Sequence, residues 1–94
     1  MITANRALKI AKKKVSQLQS ANDDFVIVEN DTIETDFGWV FFYNSKQYLE
    51  SGNISHALAG NAPIIVDRLT GEIAETGTAH DIDYYIQRYR DSLS

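Results

Sequence analysis

Cysteine is absent from the 94-residue chain, which excludes disulfides, thiol nucleophiles and cysteine-based metal sites. Proline occurs once, at Pro63, and the five glycines are dispersed, forming neither GxGxxG nor a P-loop. Only two histidines are present, His56 and His80, and no HExxH motif frames either, so no metal site is expected. The longest apolar runs, at 25–28 and 39–43, fall far short of the ~20 residues of a membrane-spanning helix. Arg6, Lys9, Lys12, Lys13 and Lys14 interrupt any cleavable apolar leader in residues 1–20. Internal repeats and low-complexity tracts are lacking too. The expectation is one cytoplasmic domain over residues 1–94, with no cofactor and no membrane segment.

Acid is also missing from one end. Residues 1–20 carry five basic side chains and no carboxylate, whereas residues 21–94 carry all thirteen acids against Lys46, Arg68, Arg88 and Arg90. The two parts therefore hold +5 and -9, which sum to the net -4. An acidic body repels nucleic acid, which is not expected as a partner, and steers a basic protein by its long-range field. The plainer reading is that the acids serve solubility and the lysines form a solvated helix face.

What is present is an aromatic-rich pattern of alternating elements. Ala4, Ala7, Leu8, Ala11, Val15 and Leu18 recur at helical spacing, so a helix is predicted over about 3–20, capped by Thr3 or Asn5. Phe25 to Val28 is a β-branched run, 29–31 a bulge or turn, and 32–36 extended again. Trp39 to Tyr43 is the strongest strand former, with Phe37 and Gly38 as a turn or kink before it. Residues 44–61 read as a long connection packed through Tyr48, Leu49, Ile54 and Leu58. A hairpin over 63–76 turns at 67–71 with glycine in a left-handed position. A last helix over 79–93 buries Ile82, Ile86, Tyr89 and Leu93, with Thr78 and Asp81 as a capping box. The predicted class is α+β, in the order αββββα. It is a two-layer sandwich with an antiparallel four-stranded sheet and a helix at each end.

Catalytic patterns are weak. No serine lies in a Gly-x-Ser-x-Gly elbow, Ser55 and His56 are merely adjacent, and 23–36 lacks the order of an EF-hand. Glu34 and Asp36 point the same way on a strand, roughly 7 Å apart, but so short a chain leaves little room for a substrate cleft. No catalytic residue is assigned. Surface recognition remains, because the 39–43 strand is apolar on both faces and a two-layer sandwich buries one. Either the 44–61 connection covers the second face, or part of it, rimmed by Glu34 and Asp36, docks a partner.

The run Phe37-Gly38-Trp39-Val40-Phe41-Phe42-Tyr43-Asn44-Ser45 resembles the signature of the immunity protein 35 family, the YrhB-type domain. The likeness continues through Tyr48, Gly60 to Asp67, Thr70-Gly71, Gly77-Thr78 and the tyrosine-rich closing helix, with Ala62 and His80-Asp81 as departures. This resemblance implies a small bacterial protein of polymorphic toxin systems that binds and neutralises a cognate toxin, often a basic nuclease. On that reading Asp31, Glu34 and Asp36 steer and pair with the toxin, while Trp39, Tyr43 and Tyr48 anchor it. The alternative is a chaperone-like or adaptor module that binds exposed apolar segments of several clients.

Overall fold

The structure, a computed structural model, describes residues 1–18, 24–52 and 62–93. Helix α1 (Ala4–Leu18) starts where the Thr3 hydroxyl accepts the Arg6 N–H at 3.2 Å, an N-cap. Its stripe of Ala7, Ala11 and Val15 is buried, while Ala4 and Leu18, predicted to share it, are exposed. The small alanines let the helix backbone lie close to the sheet.

Residues 25–45 form one long antiparallel excursion that is broken in the middle. Strand β1 (Phe25–Ile27) pairs with β4 (Tyr43–Ser45), and β2 (Ile33–Glu34) pairs with β3 (Gly38–Phe41). Ile27 faces Tyr43 and Ile33 faces Val40, so five residues separate the two pairs on one strand and two on the other. The three extra residues are a single 3₁₀ turn, Glu29–Asp31. The predicted bulge is therefore a three-residue insertion, and each of two predicted strands is split in two.

The connection after residue 44 is more structured than its composition implies. Helix α2 (Lys46–Ser51) is capped by Ser45, whose hydroxyl accepts the Tyr48 N–H at 3.1 Å, and stopped by Gly52. Tyr48 is half-buried and Leu49 exposed. Ile54, His56 and Leu58 lie outside the described residues.

Strand β5 (Ile64–Asp67), entered from Pro63, pairs with β3 on one side and β6 (Ile73–Glu75) on the other. The antiparallel sheet therefore runs β2-β3-β5-β6, beside the separate β1-β4 pair. Gly38, at φ +154°, sits against β5 so closely that a Cβ there would run into the Val66 carbonyl oxygen. Helix α3 (Ile82–Ser92) starts at Asp81 with no side-chain cap, so the capping box expected at Thr78 is absent and the helix begins three residues later.

The α+β class, the antiparallel four-stranded sheet and the helix at each end are all present. The layering differs from a two-layer sandwich. Trp39, Phe41, Ile64 and Val66 pack with α1, Ile27 and Tyr43, whereas Val40 and Ile65 pack with Ile82, Ile86 and Tyr89 of α3. The helices lie on opposite faces, so the doubly apolar strand is buried on both. The second face expected to lie under 44–61 or to dock a partner is filled by α3. Leu93, predicted for that interface, is exposed.

Candidate functional site

The β5–β6 turn is organised by a buried carboxylate. Asp67 Oδ1 accepts the Leu69 and Thr70 N–H groups at 2.8 and 3.1 Å, and Oδ2 accepts the Tyr89 hydroxyl at 2.8 Å. Gly71, at φ +75°, closes the turn by donating its N–H to the Asp67 carbonyl. Burial pushes the Asp67 carboxyl up, but the donors from Tyr89, Leu69 and Thr70 outweigh it and hold the group below the usual carboxylate range. Burial and the same carboxylate push the Tyr89 hydroxyl up to about 12.

From this turn and from α3, two arginines close on the β2–β3 loop. Arg68 Nη2 donates to Glu34 Oε2 at 3.0 Å and to the Thr35 carbonyl at 2.9 Å, with its guanidinium 4.7 Å from the Trp39 ring centre. Its Nε is buried without a hydrogen-bond acceptor. Arg90 Nη2 donates to Asp36 Oδ1 at 2.9 Å and lies over the Phe37 ring, which also packs on Tyr89 at 4.9 Å. The Arg90 bond holds the Asp36 carboxyl below its ordinary range. The loop is thus gripped from both sides.

The predicted site residues separate into two groups. Asp31 in the 3₁₀ turn, Glu34 in the end strand β2 and Asp36 in the loop after it are exposed carboxylates. Glu34 and Asp36 are each taken by an arginine of their own. Trp39 and Tyr43 are only 4% and 8% exposed and belong to the α1 core. Trp39 contributes to the lining of a ≈170 Å³ cleft with Asn5, Glu29 and Thr32, and Tyr43 to that of a ≈160 Å³ cleft with Lys14 and Pro63. Neither aromatic projects; a partner group would have to enter. Tyr48 sits apart, on α2.

Sequence reading missed Arg68 and Arg90 as parts of this site. They lie 34 and 54 residues from their carboxylates, so no local spacing signals the pairing. The basic helix also has internal uses: Lys12 and Lys14 reach Glu29 and Glu75 at 3.8 and 3.0 Å. Among the described residues, no group of three or more His, Asp or Glu could hold a metal, and no helix is long and apolar enough to cross a membrane.

Comparison with known proteins follows the same outline. A protein of Escherichia coli (strain K12) called "Uncharacterized protein YrhB" is 44% identical over 52 residues, 55% of this chain and 55% of that protein. The chain thus spans about half the length of that relative. No solved structure matches. The family model described as immunity protein 35 matches residues 5–90, from the first turn of α1 to the last turn of α3, and the chain belongs to that family.

Proposed function

We propose that this protein binds and neutralises a cognate bacterial toxin as a non-enzymatic module acting in the cytoplasm. The observation that carries this reading is the family match over residues 5–90, in a family of immunity proteins that are generally non-enzymatic. The charge pattern supports a basic toxin, since the body outside α1 holds -9.

The recognition surface on this reading is the edge bearing Asp31, Glu34 and Asp36. Asp31 has no ion pair among the described residues, while Arg68 and Arg90 hold the other two carboxylates in fixed positions. A toxin cation would share or displace those arginines. Trp39 serves as the floor of the cleft beside Glu29 and Thr32, next to that edge, while Tyr43, whose cleft lies on the β6 side of the sheet, and Tyr48 are outlying contacts.

The test is a pull-down with the tagged chain from its source organism, eluted with rising salt, followed by binding kinetics on the recovered protein. One stoichiometric partner, toxic when expressed alone and harmless with this chain, is expected. Glu34→Lys with Asp36→Lys should slow association about tenfold at low salt and flatten its salt dependence. A broad set of clients released without regard to salt would overturn the immunity reading. An unchanged association rate would overturn the acidic edge alone.

A further inference from the structure

The sheet ends at β6, and the pairing inside it decides which backbone groups of β6 look outward. The Asp67 N–H donates to the Glu72 carbonyl at 2.9 Å. Bonded and non-bonded pairs alternate along an antiparallel ladder, so Ala74 bonds inward to Ile65, opposite it in the register. The N–H and C=O groups of Ile73 and Glu75 therefore point away from β5. Among the described residues, no backbone group from outside the sheet ladder bonds to them. An edge of this kind is a template for another strand.

Two clefts open along this edge, one on each face of the sheet. The α1 side has the ≈160 Å³ cleft with Lys14 and Glu75 in its wall. The α3 side has a ≈410 Å³ groove lined by Ala74, Thr76, Gly77, Tyr85, Arg88 and Tyr89, among others. Arg88 differs from Arg68 and Arg90 in forming no ion pair among the described residues; its Nη1 donates to the Tyr84 hydroxyl at 3.2 Å. On β6's own approach, Glu72 is exposed and likewise in no ion pair among the described residues.

We propose that β6 is a self-association edge, on which a second copy of this chain adds its own β6 antiparallel about a two-fold axis through Ala74. In that register Ile73 pairs with Glu75 of the second copy, and Glu75 with its Ile73. These are the residues whose backbone groups point outward, so every one of them is satisfied. The same register sets Thr76 opposite Glu72 of the second copy, with Cβ atoms about 5 Å apart. Ala74 faces α3, so by alternation residues 72 and 76 face it too, and the second copy's Glu72 arrives in the groove where Arg88 stands. The symmetry makes this contact twice. On the opposite face Ile73 meets the second copy's Glu75, whose charge is taken up by its own Lys14 at 3.0 Å. The charge complementarity selects a second copy as occupant, because this chain already carries the matching carboxylate at the matching position.

The test is sedimentation equilibrium of the purified chain alone, from low to high micromolar, so its outcome is independent of any toxin. The expected result is a mass that doubles with concentration. Arg88→Glu and Glu72→Arg should each weaken the dimer about tenfold or more, and the chain carrying both should regain it. Glu75→Pro removes an outward N–H without touching the ladder to β5; it should give a monomer with unchanged far-UV circular dichroism. A wild-type monomer throughout, a dimer indifferent to both single reversals, or a double reversal that fails to restore it would each overturn the proposal.

Discussion

At the scale of single residues, Asp67 ties the β5–β6 turn to α3. Tyr89→Phe should cost about 1.5 kcal/mol, the worth of a hydrogen bond to a charged group, read by urea unfolding at neutral pH. The pH dependence follows from the two shifts. Asp67 binds its proton less readily when folded, so its contribution is present above the ordinary value of 3.8 and is lost as pH falls through the lower folded value. Tyr89 binds its proton more readily when folded, so stability declines as pH rises from 10.0 to about 12. Tyr89→Phe should flatten the acid limb and reduce the alkaline one, leaving the part due to Tyr43, whose hydroxyl is also pushed up by burial. The turn itself was legible in the sequence, since aspartate, threonine and glycine at 67, 70 and 71 are local turn chemistry. The hydroxyl from residue 89 was not, because nothing within 22 positions announces it.

At the scale of elements, close packing of α1 sets the limits. Ala7 and Ala11 are fully buried against the sheet, leaving no space for a longer side chain. Ala11→Leu should destabilise by about 1–3 kcal/mol despite its better hydrophobicity, measured by thermal or urea unfolding. Helical periodicity revealed this stripe, and strand propensity revealed 39–43, because both signals live within a few residues. What periodicity could not convey is which face each helix covers. One apolar stripe on α3 is compatible with either side of the sheet, and the choice rests on the matching of Val40 and Ile65 to Ile82, Ile86 and Tyr89. The break at 29–31 was legible as a bulge or turn, whereas its length and the matching split of the 39–43 strand were not, because both depend on register between strands.

At the scale of the whole molecule, the α1 core and the α3 core share β3 and β5, so we expect one cooperative unit. The fluorescence of Trp39, the single tryptophan, and far-UV circular dichroism should report coincident unfolding transitions. Two separated midpoints would show that α3 leaves the sheet on its own. The charge asymmetry was readable from the sequence, but not the degree to which the molecule already answers it through Lys12, Lys14, Arg68 and Arg90. The 3₁₀ turn Glu29–Asp31 bears on this scale as well. Excising its three residues brings Ile33 into the register that Ile27 already keeps with Tyr43, and Ile33 still faces the α3 side. Length can therefore be taken out at this point, two of the three residues being acids, without shifting either strand pair against its partner.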